Sequence, residues 1–257
     1  MKPSESPKFR MSHNTLKPGA ILIADAHCAP CRRDFIDFLH ALESGTITTP
    51  QLILMGDVFD MLYGPIPRTY QYNTEGLDLL NRLAEKIEII YLEGNHDFLL
   101  GRLLPNIEVI AREHQPLILD YADKKVALSH GDQIMGMGYE VYTALIRSPL
   151  ILGILRSIDA IGNGFIVSWL ERMMKRKKHC RPIEHFETLI ENRLNDLKTE
   201  GFDILIEGHF HQNRFFESAD LHYINLAAFA CNERYFTVQS NHNMPLVYES
   251  VFRKEPL

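Results

Sequence analysis

The amino-acid sequence predicts an α/β protein in which two β-sheets pack face to face with helices outside, interrupted by an inserted helical cap. Three observations carry that prediction. The first half of the chain alternates apolar strand-like runs with amphipathic helical patterns, the order expected of a largely parallel sheet. From Ile107 the pattern changes to short strands, and the same mode returns towards the C-terminus. Between these stretches lies a region that reads helical throughout, and two packed sheets accommodate both strand-bearing halves.

In chain order, residues 1–18 are polar and are expected to be an N-terminal extension rather than a signal peptide, with Met11 an alternative start. The core is expected over residues 19–133 and 202–257, and the cap over 134–201. Core strands are predicted at Ala20–Ala24, Leu52–Met55, Ile87–Leu92, Val126–Ser129 and Ile204–Ile206, each an apolar run of buried-strand character. Shorter strands follow at Glu108–Ala111, Pro116–Asp120, Leu221–Leu226, Tyr235–Gln239 and Leu246–Phe252. Arg32–Leu42 places Phe35, Phe38, Leu39 and Leu42 on one helical face, and a second helix is expected near Glu75–Lys86.

In the cap, Ile151, Ile154, Leu155, Ile158 and Ile161 form one apolar stripe, and Phe165, Ile166, Trp169, Leu170 and Met173 form another. Gly162-Asn163-Gly164 is the turn between them. A basic run from Lys175 to Arg181 follows, then an acidic helix, Glu184–Lys198, that leads back to the core. Trp169 is expected to pack within the cap.

The net charge of −6 over 257 residues argues against a nucleic-acid partner. No uncharged apolar stretch reaches the roughly 18 residues needed to span a bilayer. Four cysteines are too few for a disulfide framework, which favours a cytosolic location. Cys28-Ala29-Pro30-Cys31 lies between a strand and a helix, the context of a redox pair. Two incidental thiols beside a metal ligand is the better reading, because a redox fold leaves the other chemistry-bearing segments unexplained.

Those segments are Asp25-Ala26-His27, Gly56-Asp57, Gly94-Asn95-His96-Asp97, His130-Gly131-Asp132 and Gly208-His209-Phe210-His211. Most follow a predicted strand, so their carboxylate, imidazole and amide groups gather along one sheet edge, where α/β sheets bind ligands. Two divalent cations roughly 3.5–4 Å apart can clamp a phosphoryl group and activate water. Their mutual repulsion calls for a shared carboxylate, for which Asp57 is the natural choice. Asp25, His27 and His211 then complete one half, and Asn95, His130 and His209 the other. Mixed imidazole, carboxylate and amide donors suit Mn, Fe or Zn better than Ca or Mg. His96, next to a ligand, is expected to point the other way along its loop and to stabilise the transition state or protonate the leaving group, with Asp97 orienting its ring. Asp60 and Glu93 are read as loop residues.

The ordered motifs D-x-H, G-D, G-N-H-D, H-G-D and G-H-x-H resemble those of the calcineurin-like metallophosphoesterases over most of the chain. The resemblance implies a four-layer αββα core, a di-metal hydrolase, the seven ligands already named, and His96 as catalytic histidine. A narrower resemblance, to the UDP-2,3-diacylglucosamine pyrophosphatases of lipid A biosynthesis, rests on the block Gly94–Leu99, on His130–Asp132 followed by Gly138-Tyr139, and on a helical lid before G-H-x-H. It implies hydrolysis of a nucleotide-linked diacylated sugar to lipid X and UMP, acyl chains held by the lid, and Tyr139 as a substrate contact. The best-known form of that enzyme carries Arg where this chain has His96.

An apolar helical cap beside a di-metal site independently suits a lipid-like substrate. The basic run, with Lys175 and Arg176 as candidate substrate contacts, suits anionic head groups or the cytoplasmic face of an inner membrane, and equally a solvated helix end. The cap's apolar face suits packing on the core or a homodimer as an alternative to a monomer. The rival readings are another metallophosphoesterase (a phosphoprotein phosphatase, cyclic-nucleotide phosphodiesterase or nuclease, acting on a different lipid-linked or nucleotide substrate) and a non-catalytic scaffold; the bulky cap argues against protein or nucleic-acid access, and the complete ligand set argues against the scaffold.

Overall fold

The computed structural model describes residues 15–134, 137–162, 164–174, 180–197, 201–217, 221–240 and 246–253. In chain order the elements are β1 (Ile21–Ile23), α1 (Asp34–Glu43), β2 (Gln51–Leu54), β3 (Leu62–Tyr63), α2 (Pro67–Gln71), α3 (Thr74–Leu83), β4 (Glu88–Leu92), β5 (Asp97–Phe98), β6 (Glu108–Ile110), β7 (Leu117–Tyr121) and β8 (Lys124–Ser129). Then come α4 (Met137–Arg147), α5 (Pro149–Ile161), α6 (Phe165–Met174), α7 (Phe186–Leu197), β9 (Ile204–Glu207), β10 (Arg214–Glu217), β11 (His222–Asn225), α8 (Phe229–Asn232), β12 (Arg234–Val238) and β13 (Val247–Val251).

A six-stranded sheet runs β13-β12-β1-β2-β4-β6, and a five-stranded sheet runs β10-β11-β9-β8-β7. The neighbours β1, β2, β4 and β6 pair in parallel, as do β8, β9 and β11. The continuous apolar runs follow from burial on both strand faces. Leu22, Ile53 and Ile90 point between the sheets onto Val126, Leu128, Ile206 and Ile224. Their alternates Ile21, Leu52, Leu54 and Tyr91 point outward onto Phe35, Phe38 and Leu39 of α1 and Leu79 and Leu80 of α3. On the far side, Ala127, Leu205 and Tyr223 are covered by Phe186, Ile190 and Leu194 of α7. The result is the expected αββα stack.

Two boundaries differ from expectation. Residues 15–18 belong to the core: Thr15 bridges Asp120, and Leu16 is fully buried with its N–H donating to the Asp120 carbonyl at 2.9 Å. Helix α7, placed in the cap by sequence position, is instead the outer layer of the five-stranded sheet. Its apolar stripe matches that sheet's outward residues, and periodicity alone could not say which surface it would meet.

The cap consists of α4, α5 and α6. Leu152 of α5 and Val167 of α6 pack onto Met61, Ile66 and Phe98 around the small parallel pair β3–β5. Asp159 Oδ1 accepts the Val167 N–H at 3.0 Å and locks the α5–α6 corner. Of the expected stripes, Leu155 and Leu170 pack against the cluster around Met61, Ile66 and Phe98, whereas Ile161 is 88%, Phe165 65% and Trp169 48% exposed, so Trp169 is not the packing residue expected. Among the described residues no single helix is long and apolar enough to cross a membrane. Lys175 and Arg176 lie outside the described residues.

Cys180 and Cys231 form a disulfide across 51 residues of sequence, a pairing that cysteine count did not announce. Cys28 and Cys31 are free thiols. Burial pushes the Cys28 thiol up to about 12, against the depressed value a redox-active thiol needs.

Candidate metal centre

Every segment singled out by its chemistry leaves the carboxyl end of a strand. Asp25 and His27 follow β1, Asp57 follows β2, Asn95 and His96 follow β4, His130 follows β8, and His209 and His211 follow β9. The two sheets thus present their ligand loops to one another. Asp25 and His130 are fully buried, and His27 and Asp57 are within a few per cent of it.

The side chains meet in groups whose ligand atoms lie within 4.8 Å of one another. One is Asp25, His27 and His211; another is Asp57, His130 and His209. Asp57 also groups with His27 and His96, so its carboxylate stands between the two halves. His211 Nε2 lies 3.1 Å from Asp25 Oδ1, and His130 Nε2 lies 3.5 Å from Asp57 Oδ2. Asn95, which offers an amide oxygen, sits with Oδ1 3.3 Å from His130 Nε2. All seven residues expected as ligands are therefore brought together, in the expected halves.

The backbone is built for this convergence. Asp25, His27, Asp57, His209 and His211 all have positive φ, between 43° and 60°. Left-handed backbone at non-glycine residues costs of order 1–3 kcal/mol each and concentrates at functional sites. Two glycines are required by close approach. A Cβ on Gly94 would sit 2.1 Å from Asp57 Oδ1, and one on Gly208 would sit 2.7 Å from Asp25 Oδ2.

The ring orientations are set from behind. His130 Nδ1 donates to the Met55 carbonyl at 2.9 Å, which leaves Nε2 facing Asp57. His27 Nδ1 lies 3.2 Å from Asp60 Oδ1. His96 Nδ1 donates to the Asp60 carbonyl at 2.9 Å, with Nε2 3.9 Å from Asp57 Oδ2. His96 therefore stands among the carboxylates rather than pointing away from them.

Asp97 does not orient His96 as expected. Its Oδ1 accepts the N–H groups of Asp57 and Gly94, and its Oδ2 accepts those of Val58 and Phe59 and the Tyr91 hydroxyl at 2.5 Å. A carboxylate so engaged ties the Asp57 and Asn95 loops together, which is positioning of the ligand loops and not of an imidazole. Burial, with Asp57 nearby, pushes its carboxyl up to about 7. Asp60 and Glu93, read as loop residues, lie in loops and make contacts beside the cluster that the sequence reading did not anticipate: Asp60 with the His27 and His96 rings, and Glu93 with Arg147. For Asp60 the spacing Gly56-Asp57-x-x-Asp60 was a usable signal.

The charges of the cluster oppose one another strongly. Burial alone would raise Asp57, but the His96 and His130 imidazoles hold it well below the usual carboxylate range. Burial alone would lower His130, and Asp57 more than offsets this, so the imidazole is held well above its ordinary value. Burial and the neighbouring His130 lower His209 to about 4. Two buried carboxylates facing a ring of imidazoles, with amide oxygen beside them, match the donor set of a divalent transition-metal pair. Tyr139, expected as a substrate contact, directs its hydroxyl to Asp132 Oδ2 at 3.4 Å and its ring to Arg112.

The cap borders this region on two sides. A cleft of about 830 Å³ is lined by Leu99 and Arg102 from the core and by Pro149, Gly153 and Arg156 of α5. A smaller pocket lies between Cys28, Asp60 and Met61 and residues Glu171 and Met174 of α6.

A family model described as calcineurin-like phosphoesterase matches residues 20–213. A UDP-2,3-diacylglucosamine hydrolase of Coxiella burnetii (strain RSA 331 / Henzerling II) is 22% identical over 177 residues, covering 68% of this chain and 72% of that one. Another of the same name, from Aromatoleum aromaticum, is 26% identical over 211 residues, covering 75% of this chain and 80% of that one. Among solved structures, an archaeal phosphodiesterase is 14% identical, covers 90% of this chain and 98% of its own, and superposes with a TM-score of 0.46.

Proposed function

This chain belongs to the calcineurin-like phosphoesterase family and is a metal-dependent phosphoester hydrolase, and we propose that its substrate is UDP-2,3-diacylglucosamine, cleaved at the pyrophosphate to 2,3-diacylglucosamine 1-phosphate and UMP. The observation that carries the substrate is the cap. Helices α5 and α6 meet the core near Asp60 and Glu93, which border the ligand loops, and they keep large apolar side chains exposed. A substrate with acyl chains at one end and a pyrophosphate at the other fits that juxtaposition. The names of the relatives point the same way.

In this reading Asp25, His27 and His211 would hold one divalent cation and Asn95, His130 and His209 the other, with Asp57, which groups with both sets, contributing its carboxylate between them. Manganese is the preferred metal, with iron or zinc compatible with the same donors. Such a pair, when bound, neutralises phosphoryl oxygens and activates water. Asp60 fixes the His96 ring through Nδ1, which leaves Nε2 directed to the centre for stabilising the transition state or passing a proton to the leaving oxygen. Tyr139 is a substrate contact at the base of α4. Lys175 and Arg176, which lie outside the described residues, supply charge for anionic head groups in this reading, and the protein works at the cytoplasmic face of an inner membrane, where each basic side chain contributes about 1 kcal/mol of attraction.

The test is product analysis. The manganese-loaded protein is given UDP-2,3-diacylglucosamine in mixed micelles and, separately, bis(p-nitrophenyl) phosphate. Release of UMP with an acylated sugar phosphate, far faster than diester cleavage, is expected. Turnover confined to the soluble diester would overturn the lipid substrate and leave the family intact.

A further inference from the structure

Glu93, Asp132 and Glu207 stand two residues away from Asn95, His130 and His209 respectively. All three acids are buried, Asp132 and Glu207 completely. Each meets an arginine. Arg147 Nη1 lies 3.1 Å from Glu93 Oε2, Arg112 Nε lies 2.7 Å from Asp132 Oδ2, and Arg193 Nη2 lies 2.5 Å from Glu207 Oε1. The same device thus recurs beside every ligand of one half of the metal centre.

Two of these contacts run into the cap. Arg147 is the last residue of α4, and it also donates to the Gly94 carbonyl at 2.6 Å, on the peptide that leads into Asn95. Its guanidinium lies over the Phe98 ring at 4.8 Å, which fixes the angle of approach. Arg112 reaches past Asp132 to Glu140, in the first turn of α4, with Nη2 2.6 Å from Oε1 and Nη1 2.9 Å from Oε2. Helix α4 is therefore pinned at both ends to loops that carry Asn95 and His130. The opposite half is held by core segments: the Ala230 N–H donates to the Asp25 carbonyl at 3.1 Å, and Arg32 Nη1 donates to the His27 carbonyl at 2.7 Å.

We propose that α4 is a strut that positions the Asn95 and His130 loops, through Arg147 on Glu93 and through Glu140 on Arg112 and Asp132, so that cation affinity in the half they share with His209 depends on the docking of the cap. This rests on the reading that these three residues hold a cation. Arg112, Arg147 and Glu140 are positioning residues, because they act through the loops and touch no ligand atom. Coupling between binding events is reciprocal. Loading the second cation therefore tightens α4 onto the core, and the cap is closest when both cations are present.

The test compares the wild-type chain with Glu140→Gln, Arg147→Met and Arg147→Lys. Manganese is titrated into the metal-free protein by equilibrium dialysis, with amide hydrogen exchange read over residues 137–147 at each step. The wild type is expected to take up two ions and to gain protection in α4 with the second. Partners that orient metal ligands from behind typically contribute 10–100-fold in affinity. Glu140→Gln and Arg147→Met are expected to weaken one of the two ions about tenfold, to leave the other unchanged, and to abolish the gain in protection. Arg147→Lys should restore part of both, since it keeps the charge but not the fork.

Two unchanged affinities in the variants overturn the strut, and so does an equal fall in both, which is the signature of general destabilisation. If Arg147→Met does not fold, Glu140→Gln decides, because that side chain is 45% exposed and its loss leaves the helix intact. A wild-type chain that binds fewer than two ions overturns the metal-site reading itself, an outcome distinct from failure of the strut.

Discussion

The core and the cap spend their apolar residues differently. In the core, Leu22, Ile53, Ile90, Leu128 and Ile206 are all fully buried, and their identity is explained by the two sheets they join. In the cap, Leu150, Ile154, Ile158 and Ile161 of α5 and Phe165 of α6 stand half to mostly exposed. Folding accounts for the first set and not for the second. A contiguous exposed apolar patch signals an interaction site. The comparison teaches that the ligand cluster is built on the self-packed part, and that on the proposed function the choice of substrate falls to a part whose exposed apolar side chains the fold does not explain.

If that division holds, a substitution in the core or in the α4 strut damages every substrate equally, and one on the outward apolar face of α5 or α6 does not. The largest effect is expected for Asp57→Asn. It removes the carboxylate that stands between the two ligand groups, and with it a share of charge stabilisation of several kcal/mol. At about 1.4 kcal/mol per factor of ten, turnover should fall roughly a thousandfold on both UDP-2,3-diacylglucosamine and a soluble diester. Metal analysis should show fewer than two ions per chain. A loss restricted to the lipid substrate would break the division at its centre.

His96→Ala comes next. A positioned acid or base contributes about a hundredfold or more. The loss should be alike for lipid and soluble substrates of the same leaving-group basicity, and larger for poor leaving groups than for good ones. Unchanged turnover of a good substrate together with a poor one would remove His96 from the chemistry and leave it as a buried ring held by Asp60.

The third prediction concerns pH and belongs to the core alone. In the metal-free protein His130 is held protonated beside Asp57, with its value raised above the ordinary one. The stability this pair contributes is present at low pH and fades as pH rises through the raised value of His130. A cation that takes His130 as a ligand must displace that proton, so affinity rises with pH, by up to about tenfold per unit for one proton released. His209, lowered to about 4, is already neutral and releases none. Manganese titrations at pH 6, 7 and 8 in lightly buffered solution check both the slope and the proton count. Affinity independent of pH over that range would contradict the His130 assignment.

The metal centre was legible in the sequence because its chemistry admits few residue types and each must follow a strand. Asp25, His27, Asp57, Asn95, His130, His209 and His211 satisfy both conditions and are all brought together. The two-sheet stack was legible because strands buried on both faces leave continuous apolar runs. What lay outside the sequence pattern was partner choice. Glu93, Glu207 and Arg147 look like any charged surface residues until the fold pairs them. Phe186, Ile190 and Leu194 announce a buried face without saying that it meets the five-stranded sheet. The Asp97 carboxylate looked like an imidazole's partner because it is adjacent in sequence, yet backbone N–H groups from another loop compete for it and win.

The smallest effect is the one that separates the two regions most cleanly. Phe165 is 65% exposed at the start of α6, so Phe165→Ser removes an aromatic face that the fold does not use. Surface substitutions of this kind change stability by no more than about 0.5 kcal/mol. Burying a large apolar side chain against acyl chains is worth roughly 1.5–3 kcal/mol when complete. Partial burial then corresponds to about a tenfold loss of kcat/KM on the lipid substrate, seen mainly in KM, since acyl contacts far from the reacting phosphorus act on binding. The soluble diester should be hydrolysed at the wild-type rate, and thermal unfolding should be unchanged. A parallel loss on the soluble diester would mean that this face acts through the metal loops, in the manner of α4. A lower unfolding midpoint would mean that it packs on the protein after all, and the contrast between a self-explained core and an outward-directed cap would no longer stand.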